Sequence, residues 1–592
     1  MRTHYPRTPH LPWSPGATSD DVRAEGLAGL AGREVVVTEK LDGENTTLYR
    51  DGLHARSLDS GHHPSRAWVK GLQGRIGAGI PEGWRVCGEN VYARHSLAYT
   101  ELESWFYGFS VWDDSDRCLD WDATVDFLRV LGIPAPRVLW RGVFDERALR
   151  RLRLDPSRQE GFVVRTVAGF ARDEFGRRLA KWVRAGHVST DTHWMYAAVV
   201  ENGLGPTAPL WAVRSGAAPD TAGLLDALGL GPAHGADRLS ATGGPAAEES
   251  VREVTGRLDV LGRTGDARLA GVLAALLHDR HRGSLGPLVA GRLGVPLARR
   301  VADLVGLHPR LRSPFPDAER RAGLLRMAAA ADLGILHAVA ASVPGGRSPE
   351  GREQVEWSAL YAEDAGLLGA APLEPLRAGV REALTGAGVT AEAADRCWAQ
   401  AREAYAEGRI ATVEEAVAAT WRWRSGEFPR LVQLVGPSGS GKSTLARTFP
   451  DAVCVSLDDL RTERGDRSDQ SANAEVVRRG LERLDAALAH GGTVVWDATS
   501  LTERQRDPVL AVARRRNALV TQVVALVAED ELVRRNACRP HPVPAEVLDR
   551  QLRRYSPPYP GRAHRIWYAS PDGGIEDRAG GLDQRELWGV RD

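Results

Sequence analysis

The sequence has little lysine. Of 77 basic residues, four are lysines (Lys40, Lys70, Lys181 and Lys442) and the rest are arginine. A chain that uses arginine wherever a positive charge suffices keeps lysine where a compact amine is required, so these positions mark candidate sites. Cysteine is also scarce. Cys87, Cys118, Cys397, Cys454 and Cys538 are scattered, and no two form a C-x-x-C pair. That argues against a disulfide framework or a thiolate zinc site. Net charge is absent: 77 acidic residues balance the 77 basic ones. Bulk charge therefore drives the chain onto neither nucleic acid nor membrane, and nucleic-acid contact must run through local arginine-lined grooves. No apolar run reaches about 18 residues, the length a membrane helix needs. The opening MRTHYPRTPHLPWSPG lacks the apolar core of a secretory signal. The expected compartment is the cytoplasm, with no membrane partner.

At 592 residues the chain exceeds what one hydrophobic core supports. Its character changes twice. Residues 1–204 read as mixed α/β, with apolar strands near 33–38, 84–91, 105–112 and 161–165 separated by Gly, Asp and Pro turns. Residues 205–427 are rich in Ala, Leu and Arg at helical spacing and read as all helix. Stretches near 204–219 and 229–247 read as linkers. Residues 428–592 alternate strands, at 431–435, 453–457, 493–496 and 520–527, with helices. That order implies a parallel sheet with crossover helices. The Pro-rich Ser556-Pro-Pro-Tyr-Pro560 reads as a surface loop.

The strongest motif lies in the third part. The strand Leu431–Val435 runs into Gly436-Pro-Ser-Gly-Ser-Gly-Lys442-Ser443 and then a helix-like run. This is a complete phosphate-binding loop in its required strand–loop–helix setting. Its glycines turn backbone N–H groups onto phosphate oxygens, Lys442 supplies a point charge, and the Ser443 hydroxyl suits Mg²⁺. Gly436, Gly439, Gly441, Lys442, Ser443 and Thr444 are thus the nucleotide-binding candidates. The next strand leads into Asp458-Asp459-Leu-Arg461. An acid there can take a proton from an attacking hydroxyl, and Arg461 can grip an acceptor phosphate. Asp497, ending Thr493-Val-Val-Trp496-Asp497, is a Walker-B-like or acceptor-site acid. Arg535 and Arg539 share one helix face, which suits a lid over a transferring phosphoryl group.

This set resembles phage-type polynucleotide 5′-kinases over about residues 430–545. The resemblance implies that Asp458 is the general base towards a 5′-OH. Arg461 would bind the acceptor phosphate, and Arg535 and Arg539 would stabilise the γ-phosphoryl group. The D-x-D-G-T segment of the phage protein's phosphatase domain has no counterpart after it.

In the first part, Val35-Val-Val-Thr-Glu-Lys40-Leu-Asp42-Gly43 sets a lysine at the end of an apolar strand. An amine attacks an α-phosphate only when neutral, so the expectation is a pKa lowered by burial or nearby cations. Arg56 and Glu89 end the strands that follow, Phe109 lies in an aromatic strand, and Glu160 and Lys181 come after it in order. The order resembles the covalent nucleotidyltransferase superfamily of RNA ligases, DNA ligases and capping enzymes over about residues 33–195. The resemblance implies an ATP-grasp-like α+β core in which Lys40 forms lysyl–AMP. Arg56 and Glu89 would contact the nucleotide, Phe109 would stack on adenine, Glu160 would bind metal, and Lys181 would neutralise the triphosphate. Arg184 stands where the family usually has a second lysine. No barrel-like series of strands follows, which favours an RNA ligase.

The middle block carries His278-Asp279, then His308 and Asp332, on helical sequence. His and Asp on packed helices can bind a divalent transition metal. The pattern resembles HD-domain phosphohydrolases, which implies removal of a terminal or cyclic phosphate if active and a helical spacer if not. The early histidine of that family has only His234 as counterpart.

The expected protein is thus an RNA end-healing and sealing enzyme using ATP and Mg²⁺ or Mn²⁺. Its partners would be RNA with 5′-OH, 5′-phosphate and 3′-OH ends, broken tRNA among them. Alternatives are a small-molecule kinase fused to a nucleotidyltransferase, and an RNA-end sensor with an inactive ligase site. The sequence leaves the oligomeric state open.

Overall fold

The computed structural model describes residues 2–58, 62–186, 198–231, 244–463, 473–539 and 542–583. The chain forms two compact units. One is chiefly Met1–Gly243 with Thr255–Leu269, the other Gly244–Val254 with Ala270–Gly589.

The first unit is built on two antiparallel sheets. Strands β1 (Glu34–Lys40), β2 (Glu44–Tyr49), β3 (Gly52–Ala55), β4 (Arg85–Asn90), β5 (Phe106–Trp112), β6 (Arg117–Cys118), β7 (Val138–Val143), β8 (Gly161–Thr166), β9 (Phe170–Ala171) and β10 (Leu179–Val183) divide into the orders β10-β8-β1-β7 and β3-β2-β4-β5-β6-β9. Val35, Val36 and Val37 are fully buried, as expected of a strand flanked on both sides. Helix Trp121–Leu131 covers the six-stranded sheet. Its start is fixed by the Asp120 carboxylate accepting the Ala123 N–H, its end by Gly132 at φ 75°. Thr124, Phe127, Leu128 and Leu131 are buried at helical spacing.

The second unit joins the helical block to a six-stranded sheet. Its strands are β11 (Arg430–Val435), β12 (Val453–Ser456), β13 (Thr493–Asp497), β14 (Leu519–Ala525), β15 (Arg565–Ala569) and β16 (Ile575–Ala579), in the order β12-β13-β11-β14-β15-β16. All pairings are parallel except β15–β16. The phosphate-loop strand β11 is therefore central, and its loop opens at the carboxyl edge where such sheets bind ligands. The helices pack directly on this sheet. Arg299 reaches Asp577 at 2.6 Å, and Arg565 reaches Glu392 and Asp395 at 3.0 and 3.2 Å.

Two expectations need correction, and a third falls largely outside the described residues. Residues 204–219 are not a linker, since they contain helix Ala208–Arg214 with Leu210 and Val213 buried. The stretch 229–247 begins with Leu230 in the core, and its residues 232–243, with His234, lie outside the described residues. The segment 556–560 is not a surface loop: Pro557 and Pro558 carbonyls accept hydrogen bonds from buried Arg282, whose guanidinium lies 3.5 Å from the Tyr559 ring centre. No strand occurs among the described residues of 205–427, and no single described helix is long and apolar enough to cross a membrane.

Candidate active sites

The N-terminal site follows from strand register. β1 and β8 pair so that Lys40 faces Gly161, which sets Glu160 beside the lysine across 120 residues of sequence. The Lys40 ammonium hydrogen-bonds the Glu160 carboxylate. β10 continues the sheet with Lys181 opposite Val163. From the other sheet, Glu89 on β4 pairs with Asn45 and Tyr107 on its neighbours, near the Gly43 backbone. Phe109 is half-buried on β5, edge-on to Tyr5 with ring centres 5.3 Å apart. Arg56 is exposed, and its charge reaches Lys181.

The electrostatics run against one expectation. Burial alone lowers the Lys40 pKa, but Glu160, Glu89 and Asp42 override it and hold the amine above its ordinary value. The same crowding acts on Glu89. Burial and the neighbouring Glu160 and Asp42 raise it to about 7, against a lowering by Lys40. Lys181 moves down, through burial and the charge of Lys40. The amine is therefore surrounded by more negative charge than it neutralises.

Several contributors escaped the sequence reading. Asp42 is a structural clamp: its Oδ2 accepts the N–H groups of Ser96 and Leu97, both at 2.8 Å. The Asp42 N–H in turn donates to Tyr99 Oη at 2.9 Å. The N-terminal segment is also part of the site. Leu11 N–H donates to the Lys181 carbonyl and Lys181 N–H to the Pro9 carbonyl, each at 2.8 Å. His10, buried and bonded to Ser14 at 2.9 Å with Asp21 at 3.5 Å, anchors that segment. Only Asp42, within the motif, carried a local signal; the rest meet through contacts distant in sequence.

The C-terminal site is centred on the loop after β11. Gly439 and Gly441 adopt φ 85° and 90°, which favour glycine. Lys442, 8% exposed, donates to the Pro437 carbonyl at 2.8 Å, and burial lowers its pKa to about 8. Ser443 Oγ donates to Asp497 Oδ2 at 2.9 Å, joining the expected metal-binding hydroxyl to the Walker-B-like or acceptor-site acid. Burial raises the Asp497 pKa, helped by Asp458 and Asp459 and opposed by Ser443 and Lys442. Asp458 and Arg461 form an ion pair at 2.7 Å. Helix Glu529–Ala537 crosses the loop. A Cβ on Gly441 would lie 3.8 Å from Arg535 Nη1, and Arg535 is held by Glu531 at 2.5 Å and the Pro571 carbonyl at 2.9 Å. Arg539 is near enough to lower Lys442. Thr444 is exposed on the following helix. Gln551 was not foreseen; its Oε1 accepts the Ser438 N–H at 2.8 Å and braces the loop.

The middle-block residues do not assemble as expected. Among the described residues no group of three or more His, Cys, Asp or Glu side chains is placed to hold a metal ion. Asp332 caps helix Leu333–Ser342 by accepting the Ile335 N–H at 3.1 Å. His278 Nδ1 pairs with the Ala275 carbonyl at 2.9 Å, and Asp279 lies 3.9 Å from Arg280. His308 is 2% exposed, and burial, with Arg312 and His278 nearby, pushes its pKa down to about 3. Its folded pKa is thus below the unfolded value near 6.5. The stability is complete above pH about 6.5 and falls as pH drops towards 3, by up to about 1.4 kcal/mol per unit. Substituting His308→Leu is expected to flatten the unfolding midpoint of the second unit between about pH 6 and 4 relative to the parent. An unchanged pH profile would contradict the neutral, buried imidazole.

Residues 33–183 match the RNA ligase family model, and residues 431–558 match an AAA-domain family model of P-loop proteins. The chain therefore carries an RNA ligase domain at its N-terminal end and a P-loop kinase-like domain at its C-terminal end. Solved structures with partial similarity include a Pnkp1/Rnl/Hen1 complex, at 29% identity over 20% of this chain and 42% of that one, TM-score 0.18. A Naegleria gruberi RNA ligase shares 18% identity over 28% and 56% of the two chains, TM-score 0.21. A Mycobacterium tuberculosis APS kinase shares 20% over 25% and 92%, TM-score 0.20. The chain thus spans less than half the length of the first of these. No curated protein matches the sequence.

Proposed function

We propose that this chain heals and seals broken RNA. Its C-terminal domain phosphorylates a 5′-OH end with ATP, and its N-terminal domain joins the resulting 5′-phosphate to a 3′-OH end. The observation that carries the reading is the half-buried Lys40 amine set against Glu160 and Glu89 at the end of β1, inside the RNA ligase domain. The division of labour proposed is sealing by residues 1–204, healing by 428–592, and support of the latter by the helices between.

In sealing, Lys40 Nζ attacks the α-phosphorus of ATP. An N–P bond forms, the bond to the β-phosphate oxygen breaks, pyrophosphate leaves and the amine loses a proton. The RNA 5′-phosphate then takes the AMP from Lys40, and the 3′-OH attacks that activated phosphorus and releases AMP. Phe109 stacks on the adenine, Arg56 binds the nucleotide beside Lys181, and Lys181 offsets the leaving pyrophosphate. Glu160 and Glu89 are hard oxygen donors already in charge excess, and so fit Mg²⁺ or Mn²⁺. When bound, such an ion would supply positive charge that offsets the carboxylates around Lys40.

In healing, Asp458 accepts the 5′-OH proton while the oxygen attacks the γ-phosphorus and ADP leaves. Arg461 orients the acceptor's phosphate. Lys442, Arg535 and Arg539 stabilise the charge on the transferred group, and Ser443 with Asp497 fits Mg²⁺. Covalent linkage keeps the kinase product close to the ligase that consumes it.

The test is labelling with ATP carrying the label on either the α- or the γ-phosphate. The α-label is expected on the protein in wild type and Lys442→Ala and absent in Lys40→Ala. The γ-label is expected on a 5′-OH RNA with wild type and Lys40→Ala and absent with Lys442→Ala. No α-labelled protein with ATP, GTP or NAD would remove the ligase half of the reading. Preferential γ-labelling of nucleosides or sugars would remove the polynucleotide half.

A further inference from the structure

Residues 91–105 join β4 to β5 in the first unit. On one side this loop holds the turn Lys40-Leu41-Asp42. Asp42 Oδ2 accepts the N–H groups of Ser96 and Leu97, and the Asp42 N–H donates to Tyr99 Oη. Leu41, 8% exposed, packs with Val91, Leu102 and Tyr107. Burial raises the Tyr99 phenol, and the charges of Asp42, Glu160 and Glu39 raise it further, which places it beside the acids of the lysine site.

On its other side the loop is bonded to residues 200–205, beyond residue 183 where the RNA ligase match ends. Asn202, 3% exposed, is the centre of that seam. Its Oδ1 accepts the Tyr99 N–H at 2.9 Å, and its Nδ2 donates to the carbonyls of Val91 at 2.9 Å and Ala93 at 3.4 Å. These partners fix the orientation of the amide, since a main-chain N–H needs its oxygen and carbonyls need its nitrogen. The Asn202 N–H donates to the Tyr92 carbonyl at 2.9 Å, and the Asn202 carbonyl accepts the Trp105 indole N–H at 2.8 Å. Neighbours extend the seam. Arg94 N–H donates to the Val200 carbonyl and Gly203 N–H to the Tyr99 carbonyl, each at 2.8 Å, and Tyr92 Oη bonds the Glu201 carboxylate. A Cβ on Gly205 would lie 3.0 Å from the Glu101 carbonyl oxygen, so the two stretches are in close contact. Tyr99 belongs to both sides: residues 202 and 203 hold its main chain, and its hydroxyl holds Asp42.

We infer that Asn202 is a positioning residue for the sealing reaction, acting through Tyr99 to fix the turn that presents the Lys40 amine to the α-phosphate. A misplacement of about 1 Å from a change far from the chemistry can cost about 10²-fold in rate. The proposed nucleotide contacts stand elsewhere, Arg56 just past β3, Phe109 on β5 and Lys181 on β10. Loss of the brace therefore slows the attack and spares ATP binding. The inference rests on the sealing reading and carries the working ligase domain to residue 205.

The experiment is single-turnover labelling of the full chain with α-labelled ATP and Mg²⁺. It reads the rate constant at saturating ATP, the ATP concentration at half-maximal rate, and the final fraction of protein labelled. Asn202→Ala is expected to lower the rate constant by about 10- to 100-fold and to leave the other two within about twofold of wild type. Tyr99→Phe keeps the ring and removes the oxygen that accepts the Asp42 N–H. It is expected to lower the rate constant by about tenfold. Because the two residues act in series, the double variant is expected within about threefold of Asn202→Ala, whereas independent effects would multiply. Damaged packing alone would lower the final fraction and leave the rate constant of the remainder unchanged. The inference is overturned if only the final fraction falls, if half-saturation rises in step with the loss of rate, or if the two effects multiply. Should Asn202→Ala fail to fold, Tyr99→Phe decides, and a rate constant within about twofold of wild type overturns the inference. Wild type that takes no label removes the sealing reading and this inference together; wild type that labels beside unaffected variants removes the inference alone.

Discussion

Gly161→Ala is expected to abolish α-phosphate labelling of the protein while leaving 5′-OH phosphorylation within about twofold of wild type. Gly161 sits on β8 between β1 and β10, opposite both Lys40 and Val183. A methyl group there would lie 2.0 Å from the Trp182 carbonyl oxygen. That contact is backbone on a paired strand, so no side-chain rotation relieves it. Either β10 separates, carrying Lys181 away, or β8 shifts and moves Glu160 from Lys40. The expected cost is about 4 kcal/mol or more, at the upper end for a single substitution. The kinase assay distinguishes this local effect from general misfolding, since β11–β16 belong to the other unit. Labelling at the wild-type level would show that the Lys40–Glu160 juxtaposition is not what activity requires.

The second large effect concerns Asp458. Asp458→Asn keeps size and hydrogen-bonding capacity but removes the proton acceptor. The turnover number for 5′-OH phosphorylation is expected to fall by about 10²–10⁴-fold, with a much smaller change in KM for ATP. Arg461 loses its 2.7 Å ionic partner in the same variant, so KM for the RNA end should change more than KM for ATP. ATP hydrolysis in the absence of RNA serves as the control and should persist. A turnover number within a few-fold of wild type would move the base to Asp497 or to solvent.

Much of this architecture could be read from the sequence because its signals are local. The Gly436–Ser443 loop sits between a buried strand and a helix within one short segment, and its glycines at φ 85° and 90° are where the spacing requires them. The strand around Lys40, the strands bearing Glu89 and Phe109 and the strand after Glu160 appear at the expected places. Properties set by tertiary pairing could not be read. The direction of the Lys40 shift depends on Glu160, which reaches it only through the β1–β8 register. Asp332 has the composition of a metal ligand and the position of a helix cap, and position decided its use. Pro557 and Pro558 look like loop residues, yet their carbonyls satisfy a buried arginine 275 and 276 residues away. His10 and Asp21 carry no motif at all, and only the folded chain brings them beside Lys181.

The way the helices join the β11–β16 sheet bears on how the protein is made. The final strand β16 supplies Asp577 to Arg299, and the carbonyls just after it receive Arg377. As the ribosome emits the chain from its amino end, the first sheets can close once residue 183 and the helices up to 269 have emerged. The arginine-bearing helices between 282 and 406 must then wait for the partners that β16 and residues 581–582 supply. The second unit is therefore complete only once the residues just past β16 have been made, and a chain cut short before β15 would deprive Arg299 and Arg377 of these contacts.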